Sequence, residues 1–221
     1  MKTASEMKRI MVLTAAAAAA LLARSAELPA DYSPLEYVRF AGGAYVDTGT
    51  PVASVQITMK VNADLGPYFF FGSDWQNYKS LYFGQYQNDS GTWLWRTASQ
   101  VSRVDEGAAT AGLHDIVYGK LDDEWGGAYI DGARNGVNSK AASTGDYNLL
   151  VGKYYGGGNL VGDVYSFAVT NRADGSAVMD LVPCWRVSDR RYGFFDRMRG
   201  IFLSHENLGI FPKPGLMLIV R

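Results

Sequence analysis

At 221 residues the chain suits one domain of β-sandwich size and leaves little room for two. Lys and Arg total 21 against 22 Asp and Glu, so the formal charge is −1 and no basic footprint for nucleic acid is present. With 48% hydrophobic and 13% aromatic residues, 25 glycines and a single cysteine, the composition excludes a disordered tail, a disulfide-rich miniprotein and a polytopic membrane protein.

Residues 1–9 carry Lys2, Lys8 and Arg9 against Glu6, and residues 10–23 then run 14 positions without a charge. That run is short of the roughly 20 apolar residues a membrane span needs and matches the apolar core of a signal peptide. Ala23-Arg24-Ser25 places small residues at −3 and −1 of a cut before Ala26, so residues 1–25 are expected to be a secretion signal. An Ala-rich helix packed on the domain and an uncleaved anchor are the alternatives. Without the leader, 17 basic residues face 21 acidic ones, a net charge of −4 over 196 residues. This mild acidity disfavours anionic partners in general.

From residue 31 the pattern is period two. Short strands are expected at 35–40 and 45–47, broken by Gly42-Gly43, and a clear alternating strand at 55–61. Residues 68–71 are continuously aromatic, which predicts a strand buried on both sides. Residues 80–86 and 92–97 flank Asn88-Asp89-Ser90-Gly91 and predict a hairpin. Residues 113–121 and 127–131 flank Asp122-Asp123-Glu124 and predict a second, after which Asp131-Gly132 turns the chain again. Further strands are expected at 149–152, 160–169, 177–182, 194–195 and 201–203. No sustained 3.6-residue apolar stripe interrupts the series. Strands recurring this often, separated by Gly, Asn and Asp, predict an all-β domain over residues 31–209, an antiparallel sandwich or barrel. The tail, 210–221, ends in a five-residue apolar run too short to cross a bilayer.

Three blocks carry a family resemblance. Leu35-Glu36-Tyr37-Val38, with Ala44-Tyr45-Val46-Asp47-Thr48-Gly49, resembles an "LEYI…QYIDTG" strand pair. Leu113-His114-Asp115-Ile116-Val117, with Ala128-Tyr129-Ile130-Asp131-Gly132, is similar to a "WHHVA…LYVDG" hairpin. Gly162-Asp163-Val164-Tyr165-Ser166-Phe167, then Met179-Asp180-Leu181-Val182-Pro183-Cys184, then Tyr192-Gly193-Phe194-Phe195-Asp196, resembles a "GKIYYFRIYD…DFVPCR…GLYDLVNGKFY" ending. All three belong to secreted bacterial proteins with a concanavalin A-like, laminin-G-like domain, and together they cover most of residues 35–209. The resemblance implies a two-sheet antiparallel jelly-roll sandwich. Leu113 stands where the family often has Trp, and Arg197-Met198-Arg199 replaces an Asp/Asn-rich turn.

Catalysis has little footing in the sequence. Retaining glucanases on this fold hold two carboxylates about 5–5.5 Å apart, delivered by an E-x-D-x-E strand, and no such run occurs. Asp122 and Glu124 have the spacing but read as a turn. Neither His114 nor His205 sits in a triad context, and no His/Cys metal spacing exists. The resemblance admits calcium, for which Asp74, Asp89 and Asp163 are loop or loop-edge acids, but no calcium-loop motif supports it. No cofactor is therefore expected. Cys184, between Pro183 and Trp185, reads as a buried, inert thiol.

Aromatics in polar loops have functional content, because sugar rings stack on Trp and Tyr while Asp and Asn hold their hydroxyls. Gly72-Ser73-Asp74-Trp75-Gln76-Asn77-Tyr78-Lys79 and Gly152-Lys153-Tyr154-Tyr155-Gly156 have that composition. The candidate ligand-binding residues are Asp74, Trp75, Tyr78, Tyr154 and Tyr155. Trp93 and Trp95 share a strand face and read as core rather than as a platform. The expectation is a secreted, non-catalytic module that binds carbohydrate or glycoconjugate weakly. The alternatives are a structural or adhesive cell-envelope protein that binds other proteins and, further off, a glycosidase.

Overall fold

The alternating runs form strands throughout the computed structural model, which describes residues 28–73, 81–86, 91–96, 104–121, 127–136, 147–154 and 158–209. The leader, the turns around Asp89 and Asp123, and the tail lie outside them. In chain order the first strands are β1 (Tyr32–Pro34), β2 (Val38–Phe40), β3 (Val46–Pro51), β4 (Val55–Ala63), β5 (Tyr68–Ser73), β6 (Tyr82–Tyr86), β7 (Thr92–Arg96), β8 (Val104–Ala108) and β9 (Gly112–Tyr118). Then come β10 (Ala128–Ile130), β11 (Ala133–Asn135), β12 (Asn148–Val151), β13 (Gly158–Asn159), β14 (Gly162–Asn171), β15 (Ala177–Arg186), β16 (Arg191–Asp196), β17 (Ile201–Ser204) and β18 (Leu208–Gly209). The described residues contain no helix, and so none long and apolar enough to cross a membrane.

Two sheets result. The larger runs β11-β10-β9-β4-β14-β15-β16-β17, with β1 beside β15, β2 beside β14 and β18 beside β2. The smaller runs β3-β12-β5-β6-β7-β8, with the two-residue β13 beside β5. Every pair is antiparallel except β13 with β5. The chain changes sheet after β2, β3, β4, β8, β11 and β13, which threads β4 between β9 and β14 and β12 between β3 and β5. This winding is the jelly-roll sandwich expected from the sequence.

The core follows from side-chain parity. Along β4 every second residue, Val55 to Ala63, is buried, and the polar residues between them are half-buried. Burial of each large apolar side chain contributes roughly 1.5–3 kcal/mol. The aromatic run of β5 breaks parity at a bulge, where the register with β6 slips between Phe69 and Phe71. Phe70 and Phe71 therefore both enter the core, while Phe69 packs with Tyr82 and Leu94 on the opposite face. The Phe71 ring stacks on Phe83 at 5.8 Å and meets Phe167 of the facing sheet edge-on at 5.8 Å. The run is buried on both sides, as its composition predicts.

Both hairpins form, with Tyr82 opposite Arg96 and Tyr118 opposite Ala128. Asp131 and Gly132 both take positive φ (51° and 80°) between Ile130 and Ala133, a turn matched to strand twist. The edge strands β8 and β11 were not expected. Each is short and polar, Val104-Asp105-Glu106-Gly107-Ala108 and Ala133-Arg134-Asn135, so neither shows apolar alternation.

The departures at 197–199 have a physical reason. Arg197 donates to the Asp180 carboxylate at 2.8 and 2.9 Å. Arg199 donates to Asp196, and its Nη1 reaches the Thr48 carbonyl at 2.7 Å and the Thr50 hydroxyl. Two arginines thus close the β16–β17 hairpin over two acids and join it to β3 of the smaller sheet.

Candidate functional site

Of the five candidate residues, Tyr154 lies within the described structure. Asp74, Trp75, Tyr78 and Tyr155 lie outside the described residues. Tyr154 follows β12 and turns onto the outer face of the smaller sheet, where its ring packs against Phe69 at 4.8 Å and Tyr82 at 4.6 Å. Two glycines make this possible. At Gly72 a Cβ would come within 3.0 Å of Tyr154 Cβ and 3.2 Å of Tyr82 Cβ, so the bare backbone is the floor on which Tyr154 rests. At Gly152, with φ of +82°, a Cβ would overlap the Phe40 ring at 2.5 Å, which fixes how the chain leaves β12. Phe69, Tyr82 and Leu94 are buried, whereas Tyr154 is half-buried. An aromatic ring is thus packed on two neighbours while remaining half-exposed, and Asp74 follows Ser73 in sequence.

Trp93 and Trp95 are core. Trp95 is fully buried, and its indole N–H donates to the Asn135 carbonyl at 3.0 Å. Trp93 packs edge-on against Phe70 and against the His114 ring at 5.1 Å. Neither offers a platform.

His114 is structural. Its Nδ1 lies 2.8 Å from the Asp131 carboxylate, and its Nε2 lies 3.0 Å from the Thr110 carbonyl and 3.3 Å from the Thr110 hydroxyl. Both ring nitrogens are engaged and the ring is 6% exposed, so no nitrogen is left to serve a nucleophile. Partial burial pushes the Asp131 carboxyl upward. Hydrogen bonds from His114 and the Asp115 amide, with the His114 charge, outweigh it and hold the carboxyl below its ordinary range. A carboxyl depressed in the fold stabilises it above the unfolded value of 3.8, and the contribution fades as pH falls through the folded value. Asp131→Asn, which tolerates the positive φ, is expected to lower Tm near about pH 7, and the deficit closes toward about pH 2. Thermal scans across that range check this, and a constant deficit would contradict it.

The buried acids among the described residues, Asp163, Asp180 and Asp196, are also engaged. Asp163 is 2% exposed and accepts from Arg39 through both oxygens, at 3.1 and 3.3 Å. Asp180 and Asp196 hold Arg197 and Arg199. The described residues contain no group of three or more His, Cys, Asp or Glu arranged to hold a metal ion. Asp89 and Asp74, the other calcium candidates, lie outside the described residues, as do Asp122 and Glu124. Cys184 is fully buried, and burial pushes its thiol up to about 11 against the smaller opposing effects of the Phe195 backbone and Arg186. Thiolate is scarce at neutral pH, as an inert cysteine requires.

Sequence reasoning missed the neighbours that position Tyr154. Phe69 and Tyr82 lie in strands whose consecutive aromatics hide which ring faces outward, and only the bulge at Phe70 decides it.

No family model matches the chain, and no curated protein matches it. Among solved structures, the chain is similar to "Mouse laminin alpha1 chain, domains LG4-5" with 11% identity and a TM-score of 0.39, over 68% of this chain and 44% of that one. The chain thus spans under half the length of that structure.

Proposed function

We propose that the protein is a secreted, non-catalytic β-sandwich module that binds carbohydrate or glycoconjugate weakly through the outer face of the smaller sheet. The carrying observation is Tyr154, a half-exposed ring immobilised on Phe69 and Tyr82 over the bare backbone of Gly72. A fixed aromatic surface loses little entropy on stacking against the C–H face of a sugar. Asp74, Trp75, Tyr78 and Tyr155 are proposed to supply the hydroxyl partners and further stacking. The leader-like residues 1–25 support secretion. Asp163, Asp180 and Asp196 are committed to arginines and Asp131 to the His114 hydrogen bond, which supports a binding role over hydrolysis, and no cofactor is needed.

A glycan array with the purified protein is expected to give a defined set of weak signals. Tyr154→Ala and Trp75→Ala are expected to reduce them about tenfold, the loss of one stacked ring at 1–1.5 kcal/mol. Silence across the array would sink this reading.

The second reading is a structural or adhesive envelope protein. It is favoured by β17, which ends the larger sheet's strand path with Ile201 exposed and Met198 exposed at the adjoining turn. A protein partner recovered from an envelope fraction, and lost with Ile201→Lys, would support it.

A further inference from the structure

Immediately before Tyr154, the chain places a cation in an unusual setting. Lys153 Nζ lies 4.4 Å from the centroid of the Tyr45 ring, and the His205 ring packs on the same tyrosine at 5.1 Å. The three residues come from separate segments. Tyr45 precedes β3, Lys153 leaves β12 and His205 leaves β17, and the pairing of Val46 with Val151 brings the first two together. Gly152, packed on Phe40, fixes the direction in which Lys153 departs.

The electrostatics are unbalanced. Among the described residues no carboxylate pairs with Lys153, although Arg39, Arg186, Arg197 and Arg199 each hold one. Glu206, the acid next to His205 in sequence, is exposed. His205 Nδ1 accepts the Asn207 backbone N–H at 3.2 Å, so the neutral ring carries its proton on Nε2 and presents a donor there. A free lysine side chain has rotamer entropy to lose on binding. The attraction of the ammonium to the Tyr45 ring face has already removed part of it. Lys153 is thus an ammonium held over an aromatic ring with no counter-ion among the described residues, adjacent in sequence to Tyr154.

We propose that Lys153, with the His205 Nε2–H as a second donor, binds the carboxylate of an acidic sugar whose ring stacks on Tyr154. Tyr45 is the positioning residue that holds both donors. The inference rests on the glycan-binding reading and assigns its ligand class. A sugar is favoured over an acidic peptide because the residue that carries the ammonium is followed directly by a half-exposed aromatic ring.

The test is calorimetric titration of the protein with trigalacturonate and triglucuronate, their methyl esters and hexaglutamate. Methyl esterification removes the charge and keeps the sugar. At least one uronate is expected to bind about tenfold tighter than its ester, the value of one charge-assisted hydrogen bond. Lys153→Met, which keeps the aliphatic stem, is expected to erase that difference with an unchanged Tm, and Tyr154→Ala to weaken acid and ester alike. Equal affinity for acid and ester, or a difference that survives in Lys153→Met, would overturn the inference. Hexaglutamate binding as tightly as the uronates would overturn the sugar assignment. If neither uronate binds while neutral glycans do on the array, the inference falls and the glycan-binding reading stands. If nothing binds in either experiment, both fall.

Discussion

Trp95→Ala is expected to destabilise the fold by about 3–5 kcal/mol, the cost of removing a large side chain from a core that cannot fully collapse around the cavity. Trp95 is fully buried on β7, meets Tyr118 of the facing sheet edge-on at 6.4 Å, and donates its indole N–H to the Asn135 carbonyl. The residue thus joins the smaller sheet to β11 at the far edge of the larger one. Trp95→Phe keeps most of the packing and loses the hydrogen bond, so about 1–2 kcal/mol is expected. Urea unfolding checks both variants, with the midpoint falling and the slope unchanged. A loss below about 1 kcal/mol for the alanine variant would show that the indole is not a core element.

Asp196→Asn is expected to cost about 3 kcal/mol. Asp196 is fully buried and accepts from Arg199 Nε, from the Met198 amide at 2.9 Å and from the Asp180 amide at 3.3 Å. Removing its charge leaves the Arg199 guanidinium without a counter-ion, and breaking a buried pair from one side costs about 3–5 kcal/mol. Arg199 is 27% exposed, so water offsets part of this and the lower end applies. The double variant Asp196→Leu with Arg199→Met is expected to cost at least about 1 kcal/mol less than the sum of its two single changes. Strict additivity in urea titrations would show that the two groups do not depend on each other. The same variants loosen the contact with Thr48 and Thr50, so amide exchange in β3 is expected to quicken.

The fold was legible where parity was. The alternation over 55–61 marks β4 without ambiguity, and Asn88-Asp89-Ser90-Gly91 lies between two strands that pair in the expected hairpin. Edge strands escaped because β8 and β11 carry little apolar alternation, and an edge filled with Asp, Glu, Arg and Asn reads as loop. The β5 bulge escaped because four consecutive aromatic residues carry no parity at all.

The site was legible in part. Tyr154 stands out by composition, since an aromatic pair in a glycine-rich polar loop fits poorly as core. Its supports do not stand out. Whether Phe69 faces in or out depends on a one-residue slip in register, and the Gly72 floor matters only once Tyr154 folds back over it. The long-range polar contacts are further from view, because Arg39 meets Asp163 across 124 residues and Arg199 reaches the Thr48 carbonyl across 151. Lys153, Tyr45 and His205 share no motif either. Strand pairing puts the first two together and the return of the chain after β17 adds the third, so their grouping belongs to topology rather than to spacing.

The central claim is that a glycan docks at the corner where Tyr154 leaves β12, and that the sandwich does not cleave it. The most direct measurement is a ¹H–¹⁵N chemical-shift titration of the protein with the best oligosaccharide from the array, followed by analysis of the sugar. Shifts concentrated at residues 43–46, 152–154 and 205–207 and along the outer face of β5 and β6, with the sugar recovered intact, are the predicted result. Shifts confined to β17 and the 197–200 turn, no shifts at all, or a hydrolysed sugar would contradict it.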